Sequence, residues 1–301
     1  MKNLTLLVLL CLLPLVSQSR EAVEGMSQRV FKVMTTAQTQ IDEENYPEAR
    51  HTLEALLEKR LSTYEQAQVL NLVGFTWYQQ NDIPRARAAY QQALALSRLP
   101  DSMLTNLLTT LGQLSLIAED YRQAESYLHR LLQLPDQDTA GNQVLLASAL
   151  MGQDKFTEAL APLRQAIVSR GQAGEKPREN WLSMLASVHY ELQDYAAMRA
   201  VVQKLVILYP REQYLLNLAA LHGQLGDSGR QMALVESLAD DDRLRNPTAR
   251  RMLANLFLAE KLPHKAALLL QHDLDKGALE PSIANLELLS NAWYSAAEPA
   301  R

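Results

Sequence analysis

The stretch Leu70–Pro100, LNLVGFTWYQQNDIPRARAAYQQALALSRLP, decides the fold. Gly74 and Ala86 stand twelve positions apart in it, each among larger apolar residues. The same spacing of two small residues returns at Ala37/Ala49, Gly112/Ala124, Ala147/Ala159 and Ala254/Ala266. Ala186/Met198 and Ala219/Gln231 keep the first member and lose the second, and an eighth copy opens at Ser290. Successive first members lie 33 to 39 residues apart. A period of that length marks stacked supersecondary units that bury apolar surface only against their neighbours.

Bulky residues repeat in the same frame. Tyr46, Ile83, Tyr121, Phe156 and Tyr195 precede the second small position by three residues, and Leu53, Tyr90, Leu128, Leu163, Val202, Val235 and Leu270 follow it by four. Steps of three and four place these side chains on one helix face. Each unit therefore reads as two helices, A and B, crossing at the small residues, where the backbones approach closely. Asn45, Asp82, Asp120, Asp154, Asp194 and Asp227 fall in the A–B turns, where they can cap helix B. Pro47 and Pro84 sit in the first turn of helix B, where a missing N–H costs little. Pro162 falls deeper in its B helix and predicts a mild kink or a later helix start. The longest break is Ser169–Asn180, with Gly171, Gly174 and Pro177.

The expected architecture is thus all-α, a superhelical solenoid of stacked antiparallel helix pairs. Units 1–4 are expected over 20–168, a loop and hinge over 169–180, and units 5–8 over 181–301, the last incomplete at Arg301.

The first nineteen residues are different. Lys2 precedes the apolar run Leu4–Val16, and Ser17-Gln18-Ser19 supplies small residues where a signal peptidase reads. This predicts an export signal cleaved after Ser19, with an uncleaved anchor as the alternative. Cys11 is the only cysteine and lies inside that run, so the mature chain would be cysteine-free. Leu10 before it and Leu12-Leu13 after it do not suit a lipidation signal.

The composition narrows the functions. The formal charge is −5, with no basic run, which argues against nucleic-acid binding. The six histidines show no zinc-protease spacing, and no cysteine pair is present to hold a metal. Gly171–Lys176 imitates a phosphate loop but lacks the preceding strand and the hydroxyl residue after the lysine. No catalytic residue, cofactor or metal is expected, and the expected activity is binding rather than chemistry.

The pattern resembles the tetratricopeptide repeat family over about residues 27–301, with Leu70–Pro100 the best match. In that family the A helices line the concave face, and the resemblance implies a protein-binding groove there. Counting from each first small residue, the groove positions are Asn71, Phe75, Tyr78, Asn106, Gln113, Met151, Asn180, Tyr190, Arg251, Asn255 and Tyr294, with Phe31, Met34, Thr109, Val144, Ser148 and Ser183 beside them. Amides, rings and thioethers suit a peptide, hydrogen-bonding its backbone and covering its apolar side chains. Subtypes that grip a free carboxyl end use several Lys and Arg in the groove, whereas Arg251 is the lone cation here.

The carboxyl half carries a finer resemblance. ENWLSMLASVHYELQDYAAMRAVVQKLVILYPREQYLLNLAALHGQLGD (179–227), LANLFLAEKLPHKAALLLQHDLDKGALE (253–280) and NLELLSNAW (285–293) look like the exported repeat proteins found alongside the TonB–ExbB–ExbD machinery of Gram-negative bacteria. This resemblance implies a periplasmic adaptor for energy-coupled uptake. An adaptor in outer-membrane-protein, pilus or other envelope assembly, and a regulatory subunit of an enzyme, are the other readings.

Overall fold

The computed structural model describes residues 25–137 and 139–297, and among them every regular element is a helix. The export signal expected over 1–19 and the terminal Arg301 lie outside the described residues. The chain divides between Leu107 and Leu108 into two units. The first holds α1 (Gln28–Asp42), α2 (Tyr46–Leu57), α3 (Thr63–Gln79), α4 (Ile83–Leu94) and the start of α5 (Asp101–Ile117). The second holds the rest of α5, then α6 (Tyr121–Leu132), α7 (Ala140–Met151), α8 (Phe156–Gln172), α9 (Glu179–Glu191) and α10 (Tyr195–Leu208). It continues with α11 (Glu212–Gln224), α12 (Ser228–Asp240), α13 (Pro247–Ala259), α14 (Pro263–Asp275) and α15 (Ile283–Ala297). Odd-numbered helices are the A helices and even-numbered ones the B helices.

Packing follows the chain order. In the first unit α1 packs on α2, α3 on α4, and α2 joins the two hairpins through α3. In the second, α7 packs on α8, α9 on α10, α11 on α12 and α13 on α14, and each B helix also touches the next A helix. This is the layered hairpin arrangement that the repeat spacing implies.

One backbone device makes the A–B turns. Glu44 and Asn81 in the first unit adopt the left-handed conformation, as do Glu119, Asp154, Gln193, Gly226 and Lys261 in the second. The N–H of the next residue then reaches the carbonyl five positions back: Asn45 to Gln40, Asp82 to Trp77, Asp194 to His189 and Asp227 to His222 are examples. The turn satisfies orphan carbonyls at the end of helix A and aims the chain into helix B. A non-glycine residue there costs about 1 kcal/mol, and only Gly226 avoids that cost. The residue after it is the N-cap. Asp82, Asp120, Asp194 and Asp227 accept from the N–H three positions on.

Two expected caps differ. Asn45 occupies the N-cap without a side-chain bond. Asp154 is the left-handed turn residue itself, so Lys155 becomes the N-cap and its ammonium pairs with Glu125 of α6 at 2.7 Å. Pro162 lies inside a helix that starts at Phe156, so the later start does not occur. The break expected over 169–180 shrinks to 173–178, because α8 runs on to Gln172. Arg170 holds the connection, donating to the Lys176 carbonyl at 3.0 Å and pairing with Glu175 at 2.7 Å, while Gly174 takes a positive φ.

The small positions are at the hairpin crossings. Ala37, Ala49, Ala86, Ala124, Ala147, Ala159, Ala219, Ala254 and Ala266 are all completely buried. In the first unit Val30, Leu53, Leu56, Val69 and Val73 close over them. In the second, Val235, Leu238, Leu244, Leu253, Phe257, Leu270 and Leu279 do the same between α11 and α15. Each fully buried Leu contributes roughly 1.5–3 kcal/mol. Ser290, expected to open an eighth crossing, is exposed, and the buried small residue of α15 is Ala292. No B helix follows α15 among the described residues, so nothing covers Ser290.

The recurring aromatic after the first small residue also finds a role. Trp77 receives the guanidinium of Arg85, eight residues on, at 4.6 Å from its ring centre, and Phe257 receives the ammonium of Lys265 at the same offset, at 5.5 Å. Arg50 lies 3.7 Å from the Trp77 ring as well. The Arg85 and Lys265 contacts tie the start of helix B to the end of helix A, and Arg50 ties α2 to α3.

Candidate functional site

The A helices outside the hairpin crossings carry the polar and aromatic residues that remain accessible. In the first unit Asn71, Phe75 and Tyr78 follow one face of α3 at steps of four and three, all half-buried, and Asn106 is exposed on α5. Phe31 of α1 is 62% exposed, with half-buried Met34 one turn on.

In the second unit the expected residues gather in two places. Met151 of α7 and Asn180 of α9 line one cavity of about 640 Å³, together with Ser183. Glu179, Met184, Ser187 and Tyr214 complete it. Glu179 is already engaged: it pairs with Arg211 at 2.9 Å and accepts a hydrogen bond from the Tyr214 hydroxyl. Burial, with Glu179 beside it, pushes the Tyr214 phenol above its ordinary pKa. The cavity thus offers two thioethers, an amide and hydroxyls, with its one carboxylate neutralised.

Arg251 and Asn255 of α13 line the second cavity, of about 650 Å³. Thr248, Met252, Leu256 and Ala259 extend the same helix face, and Ala284 and Leu288 of α15 form the opposing wall. Gln113 is half-buried on α5 outside both cavities. Tyr190 is 55% exposed and packs edge-on against Tyr195 of its own helix B, with ring centres 6.3 Å apart. Tyr294 is 69% exposed on α15. Neither tyrosine borders the two cavities.

Sequence spacing missed Tyr214, Thr248, Met252 and Leu288. Tyr214 sits five residues before Ala219, the offset at which Leu107 and Ala249 lie in neither cavity, so its place could not be taken from the repeat frame alone. Its signal was chemical: a hydroxyl one repeat from Glu179, which it meets. No cluster of metal-ligating side chains exists among the described residues.

The comparisons with known proteins agree with this architecture. A tetratricopeptide-repeat family model matches residues 34–101, which take in most of the first two hairpins. Residues 34–101 carry a tetratricopeptide-repeat match. Outside that match the likeness is one of fold. A tetratricopeptide repeat protein from Parabacteroides merdae is 15% identical, with a TM-score of 0.52, over 89% of this chain and all of that one. The C-terminal part of a repeat-containing protein from Cytophaga hutchinsonii is 16% identical, with a TM-score of 0.60, over 85% of this chain and 99% of that one. YrrB, described as a repeat protein with an unusual peptide-binding site, is 14% identical, with a TM-score of 0.51, over 65% of this chain and 91% of that one. No curated protein matches the chain in sequence. Tetratricopeptide repeats are protein-binding scaffolds as a class, and the accessible amides, rings and thioethers of these A helices suit that use.

Proposed function

We propose that the chain is an exported, non-catalytic scaffold that binds protein segments on its A-helix faces, in the periplasm, as an adaptor of the TonB–ExbB–ExbD machinery. The observation that carries the binding role is the pair of cavities on the A helices of the second unit, lined by amides, hydroxyls, thioethers and one guanidinium. Such linings hydrogen-bond an extended backbone and cover its apolar side chains. YrrB, similar in fold, is a repeat protein described by its peptide-binding site.

Export rests on the sequence of residues 2–19, and the TonB assignment on the phrases within 179–293. Among the described residues no helix is long and apolar enough to cross a membrane. The test is co-purification of residues 20–301 with the periplasmic domains of TonB and ExbD, together with iron-chelate uptake in a deletion strain. Retention of either domain and reduced uptake support the assignment. No enrichment and normal uptake overturn it and favour an adaptor for envelope assembly.

A further inference from the structure

The cavity between α13 and α15 has a charge left over. Arg250 and Arg251 are neighbours on α13, and only Arg250 has a charged partner. Arg250 is buried and pairs with the fully buried Asp273 of α14. Arg251 is exposed, lines the cavity, and has no ion pair or hydrogen bond among the described residues. Thr248, Arg251 and Asn255 follow one another at steps of three and four, so a hydroxyl and an amide flank the guanidinium on the same helix face. Met252, Leu256 and Leu288 supply an apolar wall beside them. The cavity near α9 offers no comparable charge, because its carboxylate already has Arg211 and Tyr214.

An unpaired guanidinium at the edge of an apolar cavity matches a carboxylate that arrives with an apolar neighbour. The planar fork of Arg binds a carboxylate through two parallel N–H donors, and an adjacent amide can donate a third. The lining runs past Arg251 in both directions, from Thr248 to Ala259, so a chain can continue on either side of it.

We propose that this cavity selects an acidic side chain within an extended peptide segment of the partner. The carboxylate sits on Arg251 and Asn255, and a neighbouring apolar side chain sits between Met252, Leu256 and Leu288. This rests on the reading of the A-helix faces as a peptide-binding surface and adds the chemistry of the peptide.

The test uses the mature chain and two pools of fluorescent short peptides, acetylated and amidated at their ends. One pool carries a central Glu among varied apolar residues and the other carries Gln in its place. The Glu pool binds about fivefold tighter at low salt, as expected for a charge-assisted hydrogen bond at a partly exposed site. In Arg251→Gln the preference for Glu over Gln disappears, and in Arg251→Lys part of it returns. Because Arg251 is exposed, the thermal melt of each variant matches the wild type. Equal binding of the two pools overturns the acidic selectivity and leaves the peptide-binding surface standing. Binding of neither pool overturns both. Tighter binding of a Gln pool with a free carboxyl end than of the amidated Glu pool overturns the choice of an internal side chain.

Discussion

The α-carbon of Gly74 lies against the ring of Tyr90: a β-carbon built on it would stand 2.8 Å from Cε2 and Cζ. Tyr90 is buried, so the ring has little room to retreat. Gly112 and Leu128 repeat the relationship in the second unit, at 3.0 Å. In both hairpins the first small residue is therefore a seat for the bulky residue four positions after the second. Gly74→Val should destabilise the chain by about 1–3 kcal/mol through overpacking. Urea unfolding measures it, and an unchanged midpoint contradicts the packing.

The sixth unit tests the same geometry with its residues exchanged. Gln231 occupies the second small position, and Gly223, one turn beyond Ala219, makes space for it. A β-carbon on Gly223 would stand 2.6 Å from the Gln231 carboxamide carbon. Gly223→Ala pushes aside the flexible end of Gln231 and gains about 1 kcal/mol of helix propensity, so alone it should change stability by less than about 1 kcal/mol. Adding Gln231→Ala removes the side chain that has to move, so in that background Gly223→Ala should stabilise by about 1 kcal/mol. A double-mutant cycle with no coupling refutes the exchange.

Arg250 and Asp273 form a buried pair in which Arg250 Nε and Asp273 Oδ2 have no hydrogen-bond partner among the described residues. Asp273→Ala strands the guanidinium and should cost about 3–5 kcal/mol, whereas Arg250→Met with Asp273→Leu should cost much less. Thermal melts of the three proteins decide this.

Acid should weaken the fold in two windows. Hydrogen bonds from the Ser27 hydroxyl first, then from the Ser62 and Ser27 N–H groups, hold the Glu65 carboxyl down to about 2. Its contribution is complete above the unfolded value of about 4.3 and is lost as pH falls from there towards the folded value. Burial lowers the His189 pKa, with Arg164 adding to the effect and Asp194, 3.5 Å away, opposing it. The neutral ring is thus favoured in the fold, and its stability is lost as pH falls below the unfolded value of about 6.5. Melting temperature against pH should flatten below pH about 6.5 in His189→Gln, and below about 4.3 in Glu65→Gln. Parallel curves for wild type and variants contradict the assignment.

The spacing of Gly74/Ala86 and its copies made the hairpins legible, because helix crossings impose small residues at a fixed separation. The capping aspartates were legible for the same reason, except Asp154, where one position of slip exchanged the turn residue and the N-cap. The reach of α8 to Gln172 was not legible: Gly171 suggests a break, but the Arg170 contacts with Lys176 and Glu175 close the connection only after helix α8 ends. The cavities were half legible. Met151, Asn180, Arg251 and Asn255 follow from the repeat frame, whereas Leu288 and Tyr214 depend on how neighbouring A helices lean together.

The central claim, that partners bind the A-helix faces, is tested most directly by site-specific photocrosslinking in the native host. A photoreactive residue at Asn180 or Asn255, both exposed on A helices, should give discrete adducts with one or a few proteins. The same residue at Gln203 of α10 or Leu268 of α14, exposed on B helices, should give none. Adducts from the B-helix positions alone would contradict the account.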